Sequence, residues 1–311
     1  MKIHYNNLVK SKLENYKFQK SLFVFLAVAP AFMGYLIFTL YPNAMSIYYS
    51  LLKWDGISVP EFIGLKNYVT MISDRYVWRA LAHNLILMVA VPPLTIIIAL
   101  ALSYVLSFRA FKGASFYKIL YYMPNVLSSV VIAILWSFIY DGGFGLINAV
   151  LKLIGIDLGN YYWLGHKNTA LLCMVAPSVW SGVGLYVVVF TNAMCSIPKS
   201  LHESAILDGA SHFTRFSKIT VPLISGVTRI STLFILVGSL KGFETIMVLT
   251  NGGPEGATDV IGLYMFNLAF GAEQSIHLYG YASAIGMFLF VILVGVRIVI
   301  DKFYAKETVE F

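Results

Sequence analysis

IPKSLHESAILDGASHFTRFSKITVPL, residues 197–223, is a polar stretch set between two long apolar ones, and its punctuation decides how the chain is read. Pro198 can open a helix, Leu201, Ala205 and Ile206 fall along one face of it, and Gly209 sits just past its end. A second short helix is predicted from about residue 211 to 219, closed by Pro222. The two would make a compact helix-turn-helix on a membrane surface, with Glu203 and Asp208 on an exposed polar face. Taken alone, it could equally be a plain amphipathic connection between two spans.

Outward from this stretch the chain is strongly apolar: 59% of its residues are hydrophobic and 12% charged, against roughly 25% charged in soluble domains. The apolar residues gather into six runs of the roughly 20 residues that a helix needs to cross a bilayer. They are 21–41, 84–106, 119–140, 169–190, 227–249 and 281–300. An all-α integral membrane protein with six transmembrane helices follows, with 1–20 as an N-terminal segment and 301–311 as a tail. The first run follows Lys2, Lys10, Lys12, Lys17 and Lys20, as a signal peptide's does. Its apolar core, 22–40, exceeds the usual 7–15 residues, so a retained helix is expected.

Lys and Arg are uneven across the spans. The N-terminal lysines, Arg109, Lys112, Lys118, Lys199, Arg215, Lys218, Lys302 and Lys306 fall on one side; Lys53, Lys66, Arg75, Arg79, Lys152 and Lys167 fall on the other. The positive-inside bias places both termini in the cytoplasm. Tyr41, Tyr121, Tyr122, Tyr140, Tyr161, Tyr162 and Trp163 cluster at span ends, where interfacial aromatics belong. Pro92, Pro93, Pro124, Pro177, Gly182, Gly184, Gly238 and Gly242 interrupt spans, which suits either broken helices lining a cavity or tight packing by small residues.

Several chemistries are excluded. The net charge of +7 is spread between spans with no basic, aromatic-interleaved face, so nucleic acid is not an expected partner. Cys173 and Cys195 have no metal or disulfide spacing, and His83, His166 and His277 have no ligand spacing. No phosphate-binding loop and no nucleophile–base pair is present, so the chain is not expected to be an enzyme, to hydrolyse ATP or to bind a cofactor or metal. Arg229 and Arg297, near span ends, are expected to snorkel.

The spacing of Glu203, Ser204, Ala205, Asp208, Gly209, Ala210, Phe216, Ile219 and Pro222 resembles the signature of ATP-binding-cassette (ABC) importer permeases. Ser204 and Val221 depart from its usual Ala and Leu. The resemblance implies a type I importer fold in which this loop is a coupling helix seated in a groove of a cytoplasmic ATPase subunit. In such families the Glu at 203 pairs with a basic residue of the ATPase, and the Gly at 209 makes the turn between the short helices. ATP and Mg would be used by the partner subunits.

Further segments resemble the carbohydrate-uptake branch, of maltose, glycerol-phosphate and multiple-sugar type: Tyr41-Pro42, SLLKWDG at 50–56, FIGLKNY at 62–68, TNGGP at 250–254, Ala257-Thr258, Tyr264 and Ala269-Phe270. This implies a sugar or oligosaccharide substrate, an extracellular substrate-binding protein, a second homologous permease subunit in a heterodimer, two ATPase subunits, and the plasma membrane of a prokaryote. A secondary transporter or channel working without an ATPase is the alternative, which would have no use for a docking helix.

Sugars need hydroxyl partners and aromatic faces. Trp180, Ser181, Gly182 and Tyr186 on the fourth span, and Lys241, Gly242, Phe243 and Glu244 on the fifth, resemble sugar-contacting stretches of maltose-type permeases. Charges near a bilayer centre cost roughly 2.5–3.5 kcal/mol each. Lys241 and Glu244, three residues apart on one helix, would share a face. Three roles stay open for them: a mutual salt bridge, substrate contact, or contact with a partner subunit. Asn125, beside Pro124, is expected to cap or pack.

Overall fold

A computed structural model describes residues 2–108, 113–271 and 277–303, with side chains described for 16–107, 113–271, 277–299 and 302. Arg109, Lys112, Lys306 and most of the expected tail lie outside the described residues.

Helix α1 (Lys2–Tyr35) passes through a π turn (Leu36–Leu40) into α2 (Tyr41–Ser50). A short antiparallel hairpin follows, β1 (Leu52–Lys53) with β2 (Glu61–Phe62), then α3 (Lys66–Ser73) and the long α4 (Arg75–Phe108). The middle of the chain holds α5 (Ala114–Val126), α6 (Ser129–Ile139), α7 (Leu146–Leu153), α8 (Lys167–Cys173) and α9 (Val175–Cys195). The 197–223 stretch folds as α10 (Lys199–Leu207), α11 (His212–Arg215), a second π turn (Phe216–Thr220) and α12 (Val221–Leu223). Last come α13 (Ser225–Lys241), α14 (Glu244–Leu249), α15 (Ile261–Phe270) and α16 (Tyr279–Phe303).

Among the described residues, four helical stretches are long and apolar enough to cross a membrane: Tyr16–Ser50, Arg75–Ser107, Lys167–Cys195 and Tyr279–Val299. Two bent pairs raise the number to six: Ala114–Val126 with Ser129–Ile139, bent by 99°, and His212–Leu223 with Ser225–Lys241, bent by 74°. The six expected spans thus correspond to four unbroken stretches and, if each bent pair is one span, two broken ones.

The breaks have local causes. In the third span, Pro124 is buried near the end of α5, and Leu127 and Ser128 are extended. The Ser128 hydroxyl then accepts the Val131 N–H and caps α6. In the fifth span the 74° bend falls at Ile224, and a separate break follows at Gly242, whose ψ of 104° is extended, before α14 starts at Glu244. Pro42 does not break its helix, whereas the chain bends by 74° at Ile224, two residues after Pro222. Each is preceded by a π turn, in which the Tyr41 or Val221 N–H donates five residues back, to Leu36 or Phe216. The widened turn relieves the clash between a proline ring and the carbonyl four residues before it.

α4 packs along α9, α5 and α13 lean on these two, α14 lies on α6, and α2 and α15 flank α16. One buried cluster joins Leu100, Val187, Phe190, Met194 and Ile224; a second joins Val77, Ile261 and Ile285; a third joins Leu87, Met174, Ile246 and Leu263. The most apolar part of the first span has no residue buried against the rest of the chain.

Candidate coupling surface and translocation cavity

α10 starts after Pro198 and ends in a Schellman turn: the Gly209 N–H reaches the Ile206 carbonyl at 3.0 Å and the Ala210 N–H reaches the Ala205 carbonyl at 2.8 Å. Gly209 has φ +77°, and a Cβ there would meet nothing within 4 Å, so glycine is needed for its backbone and not for space. Ser211 caps the next helix by accepting the Thr214 N–H at 3.2 Å. That helix runs through the π turn and ends at Leu223, one residue past Pro222, where the chain bends by 74°.

The face assignment also changes. Leu201 and Ile206 are exposed, while His202 is buried and Ala205 half-buried. Glu203, Ser204, Asp208 and Gly209 are exposed as expected, and beside them stand Leu207, 88% exposed, and Phe213, 75% exposed.

Beneath it, the Tyr104 hydroxyl of α4 donates to the His212 carbonyl at 3.0 Å, its ring meets Phe216 edge-on at 4.9 Å, and Arg215 Nη2 lies 3.0 Å from His212 Nδ1. Phe216 is therefore an anchor of the loop. Burial, with the charge of Arg215, holds the His202 imidazole below its ordinary range.

Between α4, α6, α9, α13 and α14 lies a cavity of about 260 Å³. Of the sequence candidates, Ser181, Gly182, Tyr186, Gly242 and Glu244 line it. Trp180 does not: it faces a groove beside Leu94 and Leu172, edge-on to Trp136 at 6.1 Å. Phe243 does not either, and stacks on Phe266 at 5.5 Å. Lys241 is exposed outside the cavity. The expected shared face of Lys241 and Glu244 is corrected by the break at Gly242, and no salt bridge joins them among the described residues. Glu244 Oε2 instead accepts the Ser129 hydroxyl at 2.8 Å.

The two glycines of the fourth span divide the roles left open between them. A Cβ on Gly184 would collide with the Tyr121 carbonyl, so it allows α5 to touch α9. Gly182 has only Thr95 Cγ2 at 3.8 Å and faces the cavity, as does Gly238, which has nothing within 4 Å. Asn125 donates to the Ser181 carbonyl at 3.3 Å, tying the α5–α6 break to α9.

Sequence reasoning missed Asn84, which it used only as a span boundary. Its side chain is fully buried; Oδ1 accepts the Ile261 N–H at 2.8 Å, and Nδ2 donates to the Ser239 and Leu240 carbonyls at 3.3 and 3.4 Å. One amide thus satisfies the last turn of α13 and the first of α15, which apolar surroundings would otherwise leave orphaned. An Asn on an apolar helix just inside its start was the only available signal.

At the same end of the molecule the TNGGP loop is held by Thr258, which bonds Thr250 and the Gly253 carbonyl at 2.7 and 2.8 Å. Arg79 lies on Gly256, bonds the Glu255 carbonyl at 3.2 Å and stands 4.0 Å from Asp259, and Lys167 pairs with Glu255. Burial pushes the Asp259 carboxyl up to about 6 despite the opposing pull of Arg79. Asp74 accepts the hydroxyls of Tyr264 and Tyr281 at 2.8 and 2.7 Å. Burial would raise its carboxyl, but those bonds and the Tyr76 N–H hold it below the usual range.

Residues 92–306 match the family model described as binding-protein-dependent transport system inner membrane component. The chain is 32% identical over 275 residues to the diacetylchitobiose uptake system permease protein NgcF of Streptomyces coelicolor, covering 83% of this chain and 77% of that one. It is 31% identical over 299 residues to the trehalose/maltose transport system permease protein MalF of Thermococcus litoralis, covering 96% and 97%. Its fold matches, with a TM-score of 0.80 at 22% identity over 94% of this chain and 98% of the other, a chain from the crystal structure of a bacterial alginate ABC transporter in complex with an alginate pentasaccharide-bound periplasmic protein.

Proposed function

This chain belongs to the family of binding-protein-dependent transport system inner membrane components, and on that premise we propose that it is the permease subunit of an ATP-driven importer of a sugar or oligosaccharide. It works in the plasma membrane of a prokaryote with a second, homologous permease chain, two cytoplasmic ATPase subunits that use ATP and Mg, and an extracellular binding protein that delivers the solute. The chain itself is non-catalytic.

The observation that carries this reading is the exposed element at 203–213. Glu203, Leu207 and Asp208 are exposed just before a Schellman turn, Phe213 is exposed on the next helix, and that helix is tied to α4 through Tyr104. A rigid knob on the end of a span can pass the closing motion of an ATPase pair into the helices above it. The cavity supports a polar solute, with Ser181, Tyr186 and Glu244 among its lining. At about 260 Å³ it falls a little below the roughly 300–1,000 Å³ usual for ligand sites, as suits half of a pathway completed by another subunit. The first helix, with its apolar residues from Phe18 to Phe38 exposed, supports a permease neighbour. The exposed Lys241 suits contact with that neighbour better than contact with Glu244.

The test is to purify the tagged chain from its native cell with its companions and measure ATP hydrolysis in proteoliposomes. Hydrolysis is expected to rise when binding protein loaded with a saccharide is added. Transport of sugar by the isolated polypeptide, with no ATPase attached, would sink the proposal.

A further inference from the structure

We infer that the cavity wall supplied by this chain is built to accept hydrogen bonds, so that it favours uncharged or amino-bearing saccharide units and rejects uronic-acid units. The inference rests on the function proposed above and concerns the same cavity.

Five of the seven lining hydroxyls have already committed their protons; those of Tyr186 and Thr245 make no such bond among the described residues. Thr95 donates to the Val91 carbonyl at 2.8 Å, Ser178 to Met174 at 2.7 Å, Ser181 to Ser178 at 3.1 Å and Ser239 to Ile235 at 2.9 Å. The Ser129 hydroxyl donates to Glu244 at 2.8 Å. A hydroxyl has one proton and two lone pairs, so each of these groups has only lone pairs left for a ligand. Glu244 adds the one carboxylate in the lining, and no Lys, Arg or His lines the cavity among the described residues. Its Oε1 has no hydrogen-bond partner among the described residues.

Sugar hydroxyls, amides and ammonium groups are donors and satisfy such a wall. A carboxylate offers only acceptors and would face both lone pairs and a like charge in a site poorer in water than bulk. Glu244 is then the specificity-determining residue, and Ser129 its positioning residue. Gly182 and Gly238 leave the wall open enough for a ring to approach it.

The experiment uses the whole complex, purified through this chain and held in lipid nanodiscs without nucleotide, and measures binding by calorimetry. Probes are the neutral trisaccharides maltotriose, cellotriose and triacetylchitotriose, the cationic deacetylated chitotriose, and the anionic trigalacturonate. The expected result is at least one neutral or cationic probe binding about tenfold or more tighter than trigalacturonate, with the gap narrowing in E244Q and at high salt. Trigalacturonate binding as tightly as the best neutral probe, or an unchanged gap in E244Q, overturns the inference while leaving the proposed function standing. Should E244Q fail to assemble, the wild-type comparison and its salt dependence decide. Failure of every probe to bind overturns the proposed function and this inference together.

Discussion

Ser129 donates to Glu244 at 2.8 Å, and each is the first residue after a break in its span: Ser129 opens α6 and Glu244 opens α14. The bond pins one kink to the other, and α14 lies along α6 over the rest of its length. Ser129→Ala removes the donor and leaves the carboxylate unsteadied. Uptake KM is expected to rise several-fold with little change in expression, and Ser129→Thr to restore it; equal behaviour of the two variants would argue against the pinning.

Glu203→Lys reverses a charge on the exposed element proposed to dock the ATPase. ATP hydrolysis by the assembled complex is expected to continue while uptake falls at least about tenfold, the loss of roughly 1.4 kcal/mol of interaction. Wild-type uptake in this variant would remove Glu203 from the coupling role.

Gly209→Ala places a Cβ in the left-handed region at a cost of about 1–2 kcal/mol, although nothing in the surroundings obstructs it. Gly209→Asn is expected to be milder, because asparagine tolerates that conformation. The thermal stability of purified complexes carrying each variant checks the order.

Asn84→Leu strips partners from the Ile261 N–H and from the carbonyls of Ser239 and Leu240. Each buried orphan costs about 1–3 kcal/mol, so the variant should lower the melting temperature more than any single substitution of an exposed lining residue. Hydrogen exchange at Ile261 in detergent provides a local readout.

Burial pushes the Asp259 carboxyl up to about 6, above its ordinary value of 3.8. A raised acid favours the folded state when protonated, so its contribution is fully present below about pH 4 and is lost as pH rises through about 6. Between pH 5 and 7.5 the wild type should lose melting temperature that Asp259→Asn does not lose, as a thermal scan at the two pH values would show.

The apolar runs and the 203–222 spacing were legible because both are local patterns: a span needs only length and hydropathy, and the Schellman turn needs only Gly209 one position past the helix. The breaks at Leu127 and Gly242 were not. Prolines 42, 92, 124 and 222 look alike in sequence, yet the chain bends by 99° just after Pro124 and passes through Pro42 on a widened turn. The helical wheel failed for Lys241 and Glu244 for the same reason, since three residues share a face only on an unbroken helix. In the cavity, Ser181, Gly182, Tyr186 and Glu244 were found by composition, whereas Thr95, Ser129 and Ser239 come from distant segments and are assembled only by packing. Asn84 was hidden because its partners are backbone groups more than 150 residues away.

The two π turns before Tyr41-Pro42 and Val221-Pro222 each lodge one surplus residue in a helix. Every side chain downstream is thereby rotated by about 100° relative to an uninterrupted wheel. Amphipathic stripes drawn across either site will misregister, and a one-position gap in an alignment there marks a change of azimuth, not a missing function.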